Sequence, residues 1–151
     1  MIIASLLAKK GVKVVTIGPH ETIRQGLGRL AEHDIGALVV VDGQGGLAGM
    51  VSERDIVRAL ARSEAILAEP VAVIMTRNVV IGTPQDDLMA VGATMTEHRI
   101  RHLPVVEGGR LVGIISIGDV VKAQRDQYQG EVDTLQFQIL NEEDVRSPRA
   151  S

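Results

Sequence analysis

The chain has 151 residues, a length for one compact domain, and its 45% hydrophobic content is enough for a continuous core. A formal net charge of −3, from 16 basic and 19 acidic residues, gives no general attraction to DNA or anionic membranes, and 1% aromatic content leaves no stacking platform for single-stranded nucleic acid. Cysteine is absent, which excludes disulfides, thiolate nucleophiles and Cys-ligated zinc.

In chain order, Ile2, Ile3, Leu6 and Leu7 have the spacing of a helix over residues 2–10 that Gly11 ends, its lysines following the apolar stretch in the opposite sense to a signal peptide. Val12 to Ile17 predicts a β-branched strand, and Thr22 an N-cap for a helix reaching about His33. Ala37 to Val41 reads as a buried strand, residues 42–46 as a turn, Leu47 to Val51 as the returning strand, and Ser52 as the start of a helix to about Ala61. Arg62 to Glu69 is a linker, and Pro70 opens a helical turn through Val73, Ile74 and Met75. A second series follows: strand 79–81, helix from Asp87, strand 103–106, turn 107–110, strand 111–115 and a helix from Ser116. After Ala123 the pattern turns polar and Gly130 interrupts it; Glu131 to Leu140 is a candidate extra helix covering an interface, and residues 146–151 are expected to fray. No apolar run approaches the roughly 18–20 residues needed to span a bilayer.

The two series are one pattern written twice. Residues 19–40 return as 84–105 at a constant offset of 65, pairing Glu32-His33 with Glu97-His98 and Leu38 with Leu103. One residue is lost in the glycine-rich turn, and the offset becomes 64 where Gly49-Met-Val-Ser52-Glu-Arg-Asp55 matches Gly113-Ile-Ile-Ser116-Ile-Gly-Asp119. A long period present only twice implies two intertwined units sharing a core, with clefts between them, rather than a solenoid. The expected fold is α/β (α+β): two pseudo-symmetric β-α-β-β-α units packed through their sheets, over residues 1–69 and 70–125, with a helical extension over 126–151.

Each Ser-x-x-Asp sits where a strand gives way to a helix, and two readings stand together there. It is a capping box, worth about 1 kcal/mol to the helix without any ligand. It also offers a hydroxyl, helix-terminal N–H groups and a carboxylate with the reach of a ribose phosphate.

Asp34 to Asp42, Gly49 to Asp55, Arg101 to Val106 and Gly113 to Asp119 together resemble a tandem pair of cystathionine β-synthase (CBS) domains, the Bateman module, over roughly residues 1–125, and in particular the stand-alone bacterial CBS-pair proteins. The resemblance implies a regulatory sensor of adenine nucleotides (AMP, ATP or NAD(H)) without catalysis of its own, and dimerisation into a flat disc. Its nucleotide motif falls on Ser52 and Asp55 and on Ser116 and Asp119. It implies adenine contacts at Thr16, Ile17, Ala37 and Leu38 in the first copy and at Ile81, Thr83, His102, Leu103 and Pro104 in the second, positions that core and turn chemistry also explains.

The copies differ where Arg101 and His102 replace Gly36 and Ala37, giving the second a cationic cluster with His98 and Arg99, while the first supplies Arg54 where the second has Gly118. Arginine suits phosphate, so the two clefts are expected to be unequal. His98-x-x-x-His102 is not read as a metal site, because a strand begins at Leu103 and no third ligand is near. No nucleophile with a base and no phosphate-binding glycine loop is present. The resulting expectation is a cytoplasmic, non-catalytic adenine-nucleotide module with no catalytic cofactor, acting through a separate regulated protein. The alternative is a ligand-free dimerisation or interaction module. Apolar faces on the helices at 22–33, 53–61, 87–98 and 117–123 predict a homodimer.

Overall fold

The structure, a computed structural model, describes residues 1–146. Of the end expected to fray, 147–151 lie outside the described residues. The elements are α1 (Ile3–Lys10), β1 (Thr16–Ile17), α2 (Ile23–His33), β2 (Ala37–Val41), β3 (Leu47–Ser52), α3 (Glu53–Arg62), α4 (Leu88–Glu97), β4 (His102–Glu107), β5 (Arg110–Ser116) and α5 (Ile117–Arg146). Short 3-10 turns at Glu64–Ala68 and Val71–Val73 occupy the expected linker and helical turn. Helix and strand are mixed as expected, in one sheet ordered β1-β2-β3 and a second made of β4-β5.

The helices start where the capping residues place them. Thr22 accepts from Gln25 N while Gln25 closes the box onto Thr22 N, and Asp87 accepts from Ala90 N. Gly11, at φ 95°, turns the chain out of α1 in a conformation that other residues rarely adopt.

Two strand expectations require correction. Of the expected strand 12–17 only Thr16 and Ile17 pair, parallel to Val39 and Val40, and Val12 is exposed. Residues 79–81 form no strand. Gly82 alone bridges β4, donating to Pro104 O at 2.9 Å and accepting from Val106 N at 2.9 Å. A parallel ladder carried two residues further back would need an N–H at residue 104, and proline has none. The equivalent first-copy position is Val39, so β1 gains a paired residue that its counterpart lacks.

A third correction concerns α5, which runs unbroken through Gly130 to Arg146 instead of ending near Ala123. One interior glycine costs only about 1 kcal/mol. One turn apart, Gln129 Nε2 donates to Asp133 Oδ1 at 2.9 Å across the position, and Thr134 Oγ1 donates to the Gly130 carbonyl at 2.9 Å.

The halves exchange their entry segments. Ile3 N, Ala4 N and Leu88 N bond Asp86 O, Pro84 O and Met1 O, and 65 residues earlier along the receiving loop Val71 N, Ala72 N and Ile23 N bond Glu21 O, Pro19 O and Glu69 O. The start of the chain thus docks on the second copy as Glu69–Ala72 docks on the first. The cores follow suit: Ile3, Leu6 and Leu7 are buried with Leu88, Met95, Leu103, Val105, Ile115 and Val120, whereas Val71 and Met75 are buried with Ile17, Ile23, Leu38, Val51 and Ile56. Burying each such side chain contributes roughly 1.5–3 kcal/mol, so the exchange ties the halves into one unit.

Candidate nucleotide cleft

The strand-to-helix junctions repeat atom for atom. Ser52 N donates to Asp55 Oδ2 at 2.8 Å and Asp55 N to Ser52 Oγ at 3.2 Å; Ser116 N donates to Asp119 Oδ2 at 2.8 Å and Asp119 N to Ser116 Oγ at 3.1 Å. Both are complete capping boxes. The first helical N–H is also taken at each, Glu53 N by Gly36 O at 3.0 Å and Ile117 N by Arg101 O at 2.9 Å. At the α3 terminus this leaves the Arg54 N–H without a protein acceptor among the described residues, together with the second oxygen of Asp55. A capped terminus therefore still has one donor and one acceptor to give.

Around this terminus lies an open cleft of about 610 Å³ that both copies line. The first supplies Gly36, Ala37, Met50, Val51, Ser52, Glu53, Arg54, Asp55 and Val57; the second supplies Arg99, Arg101 and His102. Strand pairing puts Ala37 beside Ser52, and the His102 ring closes against Gly36, where an added Cβ would meet His102 Cε1 at 3.8 Å. Three arginines and a helix N-terminus outnumber the carboxylates of Glu53 and Asp55 in this space, an arrangement suited to a phosphorylated ligand.

His102 is half-buried here. Burial pushes its pKa below the usual histidine value; the Asp119 charge opposes the shift and Lys10 and Arg101 add to it. Arg99 adopts φ 55°, the left-handed conformation that Asp34 holds at φ 50° in the first copy. Asp tolerates that conformation better than Arg, so a locally unfavourable backbone carries a cleft-lining cation.

Asp119 lines a separate cleft of about 520 Å³ with Met1, Leu6, Lys9, Lys10, Met89 and Lys122. Lys10 Nζ donates to Asp119 Oδ2 at 2.6 Å and to Ile114 O at 2.9 Å. Burial raises the Asp119 pKa, but the Lys10 contact and the two Ser116 bonds outweigh it and hold the carboxyl below its ordinary value.

Of the residues singled out in the sequence, Ala37, Ser52, Arg54, Asp55, Arg101 and His102 line the first cleft, and Asp119 the second. Ile17, Leu38 and Leu103 are buried in the cores and Pro104 is buried in β4. Thr16 O accepts from Arg29 Nη1 at 3.1 Å, and Arg29 is itself ion-paired with Glu21. Thr83 N bonds Asp86, and Ile81 is exposed beside it. Met50 and Val57 were not singled out. Met50 shares a strand face with Ser52, and Val57 lies one turn beyond Arg54 on α3, so strand and helix periodicity from Ser52 would have found both. His98 ends α4 and His102 opens β4, on different elements.

The family model described as CBS domain matches residues 8–62 and 71–126. Among solved structures, a CBS-domain containing protein from Agrobacterium tumefaciens is 46% identical, with a TM-score of 0.77 over 82% of this chain and 99% of its own. A CBS domain protein from Pyrobaculum aerophilum complexed with AMP is 31% identical, with a TM-score of 0.70 over 79% of this chain and 89% of its own. A CBS domain pair in complex with 5′-methylthioadenosine and S-adenosyl-L-methionine is 26% identical, with a TM-score of 0.74 over 84% of this chain and 98% of its own.

Proposed function

This chain belongs to the CBS domain family and carries the domain twice, and on that premise we propose that it is a regulatory module binding an adenine nucleotide between its two copies. The observation that carries this reading is the cleft where Ser52, Arg54 and Asp55 of one copy face Arg99, Arg101 and His102 of the other. In this reading the α3 N-terminus and Arg54 take the phosphate, Asp55 Oδ1 takes the ribose diol, Arg99 and Arg101 take further phosphate charge, and the adenine lies against Ala37, Met50 and Val57. Relatives of this fold hold AMP in one case and S-adenosyl-L-methionine with 5′-methylthioadenosine in another, which supports the adenosine class and leaves AMP, ATP and NADH as the ligands to compare.

Along the sequence the division proposed is a first unit over 1–69, a second over 70–125 and a helical extension from 126, each unit's entry segment packing in the core of the other. Binding would be reported to a separate protein in the cytoplasm without catalysis by this chain; no helix among the described residues is long and apolar enough to cross a membrane. Exposed Leu27 on α2 and Val121 on α5, both outside the cleft, support a homodimer.

The test is release of an ultraviolet-absorbing ligand on denaturation, together with thermal shift. A nucleotide at a hundred times its Kd adds about 2.7 kcal/mol of stability, and a flat response to all three nucleotides at millimolar concentration refutes the reading in favour of a ligand-free interaction module.

A further inference from the structure

The body of the protein holds α5 only at its start, through Ile117, Val120 and Ala123. Every residue from Gln124 to Glu143 is exposed. Within that stretch Tyr128, Val132, Leu135 and Ile139 follow one another at steps of four, three and four, which sets them in one stripe along the helix. They are between 46% and 66% exposed, and a solitary segment of this length containing Gly130 draws little stability from propensity alone. The stripe calls for a partner helix.

Its two ends say which partner. Three residues before Tyr128 the same stripe holds Arg125, and three residues after Ile139 it holds Glu142. Read forwards the stripe is Arg, Tyr, Val, Leu, Ile, Glu. Laid against itself in reverse, it sets Arg125 opposite Glu142, Tyr128 opposite Ile139 and Val132 opposite Leu135. Beside the seam, Lys122 then falls near Glu143. A parallel pairing would instead put arginine on arginine at one end and glutamate on glutamate at the other, each repulsive.

We infer that α5 pairs antiparallel with α5 of a second copy of this chain through a seam of Arg125, Tyr128, Val132, Leu135, Ile139 and Glu142. The seam has four apolar layers closed at each end by an opposite-charge pair. Its two-fold symmetry makes the contact self-complementary and self-limiting. Phe137 projects from the far side of the helix and takes no part in it.

Because the chain has no cysteine, disulfide trapping reads the geometry directly. Positions 125 and 142 are about 26 Å apart along one helix, too far to close within a chain. Full-length R125C/E142C is expected to give a covalent dimer on oxidation, while R125C and E142C alone give none. In sedimentation, R125E should weaken association at least about tenfold, R125E/E142R should restore it, and F137S should leave it unchanged. Cross-linking of either single-cysteine variant would establish a parallel pair and overturn the proposal. So would absence of cross-linking in the double variant, which would leave the stripe to a different protein, or failure of the charge exchange to restore association.

Discussion

Lys10 sets its ammonium 2.6 Å from Asp119 Oδ2, joining the first helix of the chain to the first turn of the last. The equivalent aspartate, Asp55, has no cation within ion-pair distance among the described residues, and Met50 O, which matches Ile114 O, bonds Thr76 N at 2.8 Å instead of a lysine. The exchange of entry segments thus fills one junction with a side chain and leaves the other open.

Lys10→Met should move the acid limb of stability. The folded Asp119 pKa lies below 3.8, so its contribution is present above that value and is lost as pH falls through the folded pKa. Without Lys10 the folded pKa rises and the loss begins at higher pH. Both partners are about a quarter to a third exposed, so the effect at neutral pH is about 1 kcal/mol or less. Chemical denaturation of both proteins between pH 3 and 7 checks this; superimposable acid limbs would show that the contact is absent in solution.

His102 gives a second reporter of the same sign in a higher pH window, since burial holds it neutral. Its folded pKa lies below 6.5, so the unfolded chain takes up the proton first and stability declines as pH falls from 6.5 through the folded value. His102→Gln should flatten that part of the melting profile. Protonation also adds positive charge to the cleft, and an anionic nucleotide should bind more tightly to the wild type, but not to the variant, as pH falls across the same window. A pH-independent affinity in the wild type would separate His102 from the ligand.

Gly92 and Gly28 sit in α4 and α2 and should respond in opposite directions to alanine. A Cβ at Gly92 would come 2.5 Å from Val120 Cγ1, a core clash expected to cost roughly 1–3 kcal/mol, whereas a Cβ at Gly28 meets nothing within 4 Å and should add roughly 0.5–1 kcal/mol through helix propensity. Melting temperatures of the two variants test the α4–α5 packing that positions Asp119.

The fold was legible where a residue's chemistry is local. Thr22, Ser52, Asp87 and Ser116 each mark a helix start because a capping side chain bonds its own neighbours, and the repeat offset carries this from one copy to the other. Strand 79–81 failed because a strand needs a partner N–H, and Pro104, the residue that withholds it, lies over 20 positions away. The unbroken α5 was missed because one interior glycine costs only about 1 kcal/mol, too little to end a helix that continues on both sides of it. At the site, the unequal cationic cluster was legible from Arg101 and His102 standing where Gly36 and Ala37 stand. Its meeting with Arg54 in one cleft, and the capture of Asp119 by Lys10, depend on how the halves are exchanged, which no local pattern encodes.

Calorimetric titration of AMP, ATP and NADH into the wild type and the Asp55→Glu variant tests the nucleotide reading most directly. Glutamate keeps the charge and can still close a capping box, so the variant should melt close to the wild type, but it moves the carboxylate away from a ribose diol. At least one nucleotide should bind the wild type saturably and the variant at least tenfold more weakly, about 1.4 kcal/mol. Equal affinity in the two proteins, or no heat from any nucleotide at millimolar concentration, would contradict it and leave Asp55 as a helix cap alone.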